Sequence, residues 1–176
     1  MIELFKNKYK IKSIRLPCWD YSSCGGYFIT ICTKNRECFF GDVVNGKMIL
    51  SPIGEIVFDE WIKTEQIRKN VILDVFVIMP DHFHGILIIQ NDGDTNRHGR
   101  DVARNVSTNM SYISPKPQSL SAIVRSFKSA VTRQCRKMGF TNFQWQSRFY
   151  EHIIRSENDL NRIREYIINN RLQWRI

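Results

Sequence analysis

The sequence predicts an α+β sandwich, an antiparallel β-sheet with α-helices packed against it. Three observations carry this. Runs rich in aromatic and β-branched residues recur at 26–33, 71–80, 82–90 and 148–155, as strands require. Two of these runs meet at Pro80-Asp81, which turns the chain into an antiparallel hairpin. Three further stretches carry apolar residues at the 3.6-residue helical period. With 176 residues, 43% of them hydrophobic, the chain reads as one domain, 1–176, with a sizeable core.

In chain order, residues 1–25 are mixed and basic. "GYFITICT", Gly26 to Thr33, alternates as a strand. Gly41, Asn45 and Gly46 mark turns, and "KMILS" is a short pairing strand. Ser51 precedes Pro52 at the start of a helix, in which Ile53, Ile56, Val57 and Trp61 share a face. "VILDVFVIMP" and "HFHGILIIQ" are the hairpin. Residues 91–117 are polar, without period, and read as a long mobile loop. In the helix at 120–138, Leu120, Ile123, Val124, Phe127, Val131, Cys135 and Met138 form the packed stripe. Arg125, Arg133, Arg136 and Lys137 lie roughly opposite. "RFYEHIIR" is the fourth strand. Ser156, with Asp159 three positions on, resembles a capping box for a last helix buried through Leu160, Ile163 and Ile167.

No apolar run is long enough to span a membrane, and the N-terminus lacks a signal-peptide core. A cytoplasmic protein is expected. Five cysteines without a CxxC pair argue against a disulfide framework or a structural zinc site. Cys32 and Cys135 read as core residues. Net charge is +9, and from Val102 to Tyr150 there is no acidic residue. Such a basic half suits a polyanion, most often nucleic acid. Arg125, Lys128, Arg133, Arg136 and Arg148 are the candidate DNA contacts.

"MPDHFHGILII" carries the chemistry. Residues i and i+2 of a strand point the same way, so His82 and His84 project together. They can hold a divalent ion, although two structural histidines fit the same spacing. In "REYIINN", Tyr166 and Asn170 are one turn apart on the shoulder of the buried stripe, aimed at the sheet. Asn170 can give a third, oxygen ligand suited to Mg²⁺ or Mn²⁺. A tyrosine hydroxyl beside a metal-bound phosphate can attack phosphorus. Taken alone, Tyr166 reads first as a half-buried packing aromatic.

Together these features resemble the HUH single-tyrosine transposases, and more narrowly the REP-associated tyrosine transposases of bacteria. "YFITICTKNRECFFG", "LDVFVIMPDHFHGILI" and "FQWQSRFYEHIIRSENDLNRIREYIINN" carry the likeness over most of the chain. The resemblance implies a ferredoxin-like or RRM-like sandwich and a cytoplasmic, nucleoid-associated DNA enzyme. His82, His84 and Asn170 would bind catalytic Mg²⁺ or Mn²⁺. Tyr166 would attack single-stranded, hairpin-forming DNA and form a 5′-phosphotyrosine link. A monomer acting in cis is favoured over a homodimer. Two positions depart from the family pattern. Arg171 stands where many members have proline, so the last helix runs further. Asp81 stands where asparagine is more common and reads as a turn former.

Tyr150 is a rival nucleophile, and His152 on the same strand face reads as structural. A non-catalytic or domesticated single-stranded nucleic-acid-binding protein is the alternative function. A bare stacking platform is disfavoured, because both sheet faces look covered.

Overall fold

The computed structural model describes residues 19–90 and 117–174, plus the backbone of two short strands, β1 (Leu4–Phe5) and β2 (Lys8–Tyr9), which pair antiparallel. The loop expected at 91–117 falls, apart from Pro117, outside the described residues. The elements that follow are β3 (Gly25–Cys32), β4 (Gly41–Val44), β5 (Lys47–Leu50), α1 (Pro52–Ile67), β6 (Val71–Met79), β7 (His82–Ile89), α2 (Leu120–Lys137), β8 (Tyr150–Ile154) and α3 (Glu157–Asn169).

The main sheet has the order β6-β7-β3-β8 and is antiparallel throughout. Strand β3 is therefore central, with His84 opposite Thr30 on one side and Tyr150 opposite Thr30 on the other. Alternation along the strands splits the core into two layers. Tyr27, Ile29, Ile31, Phe83 and Leu87 face α1 and α2, where Trp61, Ile123 and Phe127 meet them. Phe28, Val77, Met79 and Ile86 face the other way and pack on Ile163 and Ile167 of α3. The expected sandwich is thus helices on both faces, two against one.

The caps follow the sequence. Ser51 Oγ accepts from Gly54 N at 3.1 Å and Ser119 Oγ from Ala122 N at 3.4 Å, satisfying first-turn donors. Ser156 Oγ accepts from Asp159 N at 3.2 Å. The Asp159 carboxylate does not complete a capping box as the sequence suggested. It is taken by His152 Nε2 at 2.8 Å and Arg162 Nη2 at 2.7 Å.

Three details differ from the sequence reading. Strand β4 was hidden because its first residue is Gly41, which reads as a turn. Gly41 sits at φ +134°, and a Cβ there would lie 2.0 Å from the Ile49 carbonyl oxygen. Met138 falls past the last turn of α2 and is 59% exposed, so it leaves the stripe. Cys135 is buried, but Cys32 is only partly so, and its Sγ accepts from Arg36 Nη1 at 2.9 Å.

Helix α3 is tied to the sheet by an ion pair. The β6–β7 register shifts between Leu73 and Phe76, and Asp74 sits at this irregularity. Arg164 grips its carboxylate, with Nη2 at 2.5 Å and Nε at 3.1 Å from Oδ2. The arginine and the Val75 amide outweigh burial and hold the Asp74 carboxyl below its usual range. Beyond α3 the chain continues as a 3-10 turn, Asn170–Gln173, in line with the absence of proline after Asn170. No helix among the described residues is long and apolar enough to cross a membrane.

Candidate active site

The site lies where the start of β7 meets the end of α3. His82 and His84 are both buried, at 7% and 5% exposure, and their rings stand 4.6 Å apart at 74°. Each ring is fixed from behind. His82 Nδ1 lies 2.5 Å from Asp81 Oδ1. A carboxylate can only accept, so Nδ1 carries the proton and Nε2 keeps its lone pair. His84 Nδ1 lies 2.8 Å from Thr30 Oγ1, its cross-strand partner. A hydroxyl can accept or donate; in the tautomer with Nδ1 donating, Nε2 is the acceptor there too. Phe28 stacks on the His84 ring at 5.4 Å and 27°.

Both imidazoles are kept neutral. Burial pushes the pKa of His82 down against the opposing pull of Asp81. Burial, then the neighbouring His82 and Arg36 charges, lowers His84 to about 3. Neutral imidazole is the metal-binding form. A proton acceptor behind each ring is the usual support of metal-binding histidines.

Tyr166 arrives from α3. Its hydroxyl is 3.3 Å from His84 Nε2, its ring is 5.3 Å from the imidazole, and it meets Phe28 edge-on at 6.1 Å. The tyrosine remains 43% exposed, so a large substrate can reach it. Asn170, one turn later, is buried and close enough to His82 to affect its proton affinity. The structure therefore brings together all four residues singled out in the sequence.

Among the described residues no group of three or more His, Cys, Asp and Glu side chains can hold a metal. An oxygen donor would have to come from elsewhere, and the buried Asn170 amide is the candidate. Asp81 is not free for the role. Its second oxygen pairs with Arg36 Nε at 2.7 Å. Two Nε2 atoms and an amide form a donor set that fits a divalent cation such as Mg²⁺ or Mn²⁺.

No protein-family model matches the chain. An uncharacterized protein of Haemophilus influenzae is 40% identical over 165 residues, covering 93% of this chain and 89% of that one. The chain belongs to that protein's family. A REP-associated tyrosine transposase, solved bound to a REP hairpin, superposes with a TM-score of 0.60 at 21% identity, over 93% of this chain and 74% of the other. The fold is that of this REP-associated tyrosine transposase, as the motifs implied.

Within this fold the remaining candidates separate. Tyr150 shares the face of His84 and meets Phe28 edge-on at 6.4 Å, but the hydroxyl beside the histidine is that of Tyr166. His152 is held by Asp159, a structural use. Arg125, Arg133, Arg136 and Arg148 are exposed and line a groove of about 780 Å³ on the outer side of α2. Lys128 lines it too, but its ammonium is used internally. It donates to the carbonyls of Gln146 at 2.7 Å and Arg148 at 3.0 Å, and burial lowers its pKa to about 8.

Three contributors escaped the sequence reading. Asp81 is more than a turn former, since it orients His82; its place next to that histidine was the available signal. Thr30 supports His84 only through strand register. Arg36 reaches Asp81 from a turn in which Asn35 and Arg36 both have left-handed φ, 56° and 59°. Non-glycine residues adopt that conformation at a cost, and nothing in the local sequence announces it.

Proposed function

We propose that the chain is a metal-dependent single-stranded DNA endonuclease of transposase type. It cleaves and rejoins hairpin-forming DNA through a 5′-phosphotyrosine intermediate. The observation that carries this reading is the 3.3 Å contact between the Tyr166 hydroxyl and His84 Nε2. The nucleophile thus stands beside the nitrogen that would hold the metal.

Tyr166 Oη attacks a backbone phosphorus and gives up its proton. The bond from phosphorus to the 3′-oxygen breaks, leaving a 3′-hydroxyl on one side and the 5′-phosphate on Tyr166. The reverse attack by a 3′-hydroxyl rejoins the strand, so no nucleotide cofactor is consumed. His82, His84 and Asn170 would hold Mg²⁺ or Mn²⁺, which supplies charge neutralisation at the phosphate. Asp81 keeps the His82 Nε2 lone pair presented, and Thr30 would do the same for His84 by accepting from its Nδ1. Phe28 packs both the His84 and Tyr166 rings, which fixes their separation.

Covalent capture tests this. Protein is mixed with labelled hairpin DNA and Mn²⁺, denatured in detergent, and examined for a shifted band. The band should vanish in Tyr166→Phe and His84→Ala and persist in Tyr150→Phe. Loss in Tyr150→Phe alone would move the nucleophile to Tyr150. Tight binding of a broad hairpin library without any band would favour a non-catalytic binding protein.

A further inference from the structure

The groove on the outer side of α2 lies across the sheet from the histidines, on the α1–α2 layer. Its floor is apolar, formed by Val124, Trp145 and Phe149. Its rim is basic. Arg125, Arg133 and Arg136 come from α2, and Arg148 comes from the facing segment. None of the four makes an ion pair among the described residues, and no acidic side chain lines the groove.

The facing wall is built rather than accidental. Lys128 ties α2 to the carbonyls of Gln146 and Arg148 and lies 5.7 Å from the centre of the Trp145 ring. Trp145 Nε1 in turn donates to the Lys128 carbonyl at 3.1 Å. This clamp holds Arg148 at φ +67°, a left-handed conformation that a non-glycine residue adopts only when its surroundings enforce it.

A duplex presents phosphates to a protein and hides its base faces, so it would leave the floor unused. An unpaired strand offers both, stacking on apolar and aromatic surfaces while cations follow its backbone. The volume, about 780 Å³, is in the range of small-ligand clefts. From Arg125 to Arg136 the helix rises about 16 Å, room for several nucleotides. The groove wall also leads directly to the catalytic face. Phe149 is followed by Tyr150, which touches Phe28, which touches His84 and Tyr166.

We propose that this groove binds unpaired nucleotides, with bases on the partly exposed Trp145 and Phe149 and phosphates on the four arginines. It takes the single-stranded flank of the DNA rather than the hairpin stem; that assignment of the flank rests on the nicking function proposed above.

The test is equilibrium binding by fluorescence anisotropy, using the full chain in EDTA. The probe is a labelled 12-nucleotide oligothymidine, which cannot form a hairpin, alongside its duplex with oligoadenosine. Arg133→Ala/Arg136→Ala should flatten the salt dependence of log Kd by about 1.4, from about 0.7 per lost phosphate contact on a single strand. Phe149→Leu, checked for an unchanged fold by circular dichroism, should weaken binding roughly 5- to 150-fold with the salt slope kept. An unchanged slope in the arginine variant would overturn the proposal. So would duplex binding as tight as single-strand binding and equally weakened by the substitutions. This assay needs neither metal nor Tyr166, so a failed capture experiment would leave its result standing, and the converse also holds.

Discussion

Asp81→Asn is the sharpest probe of how the histidine pair is prepared. Asp81 is 5% exposed, and both of its oxygens face donors: His82 Nδ1 at 2.5 Å and Arg36 Nε at 2.7 Å. Asparagine has the same shape but only one acceptor oxygen. If that oxygen serves Arg36, the amide NH₂ confronts His82 Nδ1–H. The ring must then move its proton to Nε2, which removes the lone pair offered to a metal. If the oxygen serves His82, the Arg36 guanidinium loses its carboxylate. Either arrangement leaves one polar group of a buried network mismatched, a cost of about 1–3 kcal/mol in stability. Loss of a group that orients a metal-binding histidine weakens metal affinity by about 10- to 100-fold, or about 1.4–2.7 kcal/mol. Calorimetric titration with Mn²⁺ measures this directly, beside His82→Ala, which should abolish the site. Unchanged Mn²⁺ affinity in folded Asp81→Asn would refute the argument that Asp81 sets the His82 tautomer.

Two further outcomes follow from the same geometry. In metal-free protein, the folded-state pKa of His84 is about 3 against 6.5 for the free side chain. The unfolded chain therefore binds the extra proton, and stability present above pH 6.5 is lost as pH falls towards 3. Between pH 7.5 and 5 this group alone should cost about 2 kcal/mol. Urea denaturation at the two pH values should show the loss in wild type and a shallower one in His84→Gln; equal losses would exclude His84 as its source. Gly85→Ala should destabilise by about 1–3 kcal/mol, because the new Cβ would sit 2.8 Å from the Phe83 ring and 3.0 Å from that of Trp61, both fully buried. A urea midpoint within error of wild type would contradict that packing.

The parts of the fold that sequence revealed are those set by local pattern. Alternation exposed β3, β6, β7 and β8, and the helical stripes, with Ser51 and Ser156 at two of the starts, exposed α1, α2 and α3. His82 and His84 were legible because two imidazoles on one strand face conflict with an otherwise apolar run. Tyr166 and Asn170 were legible as a one-turn pair beside a buried stripe. What stayed hidden depends on register or on tertiary contact. Thr30 is an ordinary strand threonine until pairing puts it opposite His84. Asp159 looked like part of a helix cap, and only the approach of β8 shows it bonded to His152. Lys128 looked like one more cation of a basic face. Its partners are carbonyls some twenty residues away, which no helical period can indicate.

The polar ties along α3 explain why a half-exposed tyrosine can be held against a buried histidine. Ile163 and Ile167 give the helix its apolar contact, but greasy packing alone permits sliding and rotation. Two directional contacts remove that freedom. His152–Asp159 fixes the first turn to β8 and Arg164–Asp74 fixes the middle to β6. Tyr166 lies two residues after Arg164, so its hydroxyl position follows from that grip. The exposed ion pairs contribute little to global stability. Their value is geometric, since a reacting group displaced by about 1 Å can lose on the order of a hundredfold in rate. Arg164 is the centre of this arrangement, because its guanidinium grips Asp74 through two nitrogens and so sets the helix rotation as well as its distance.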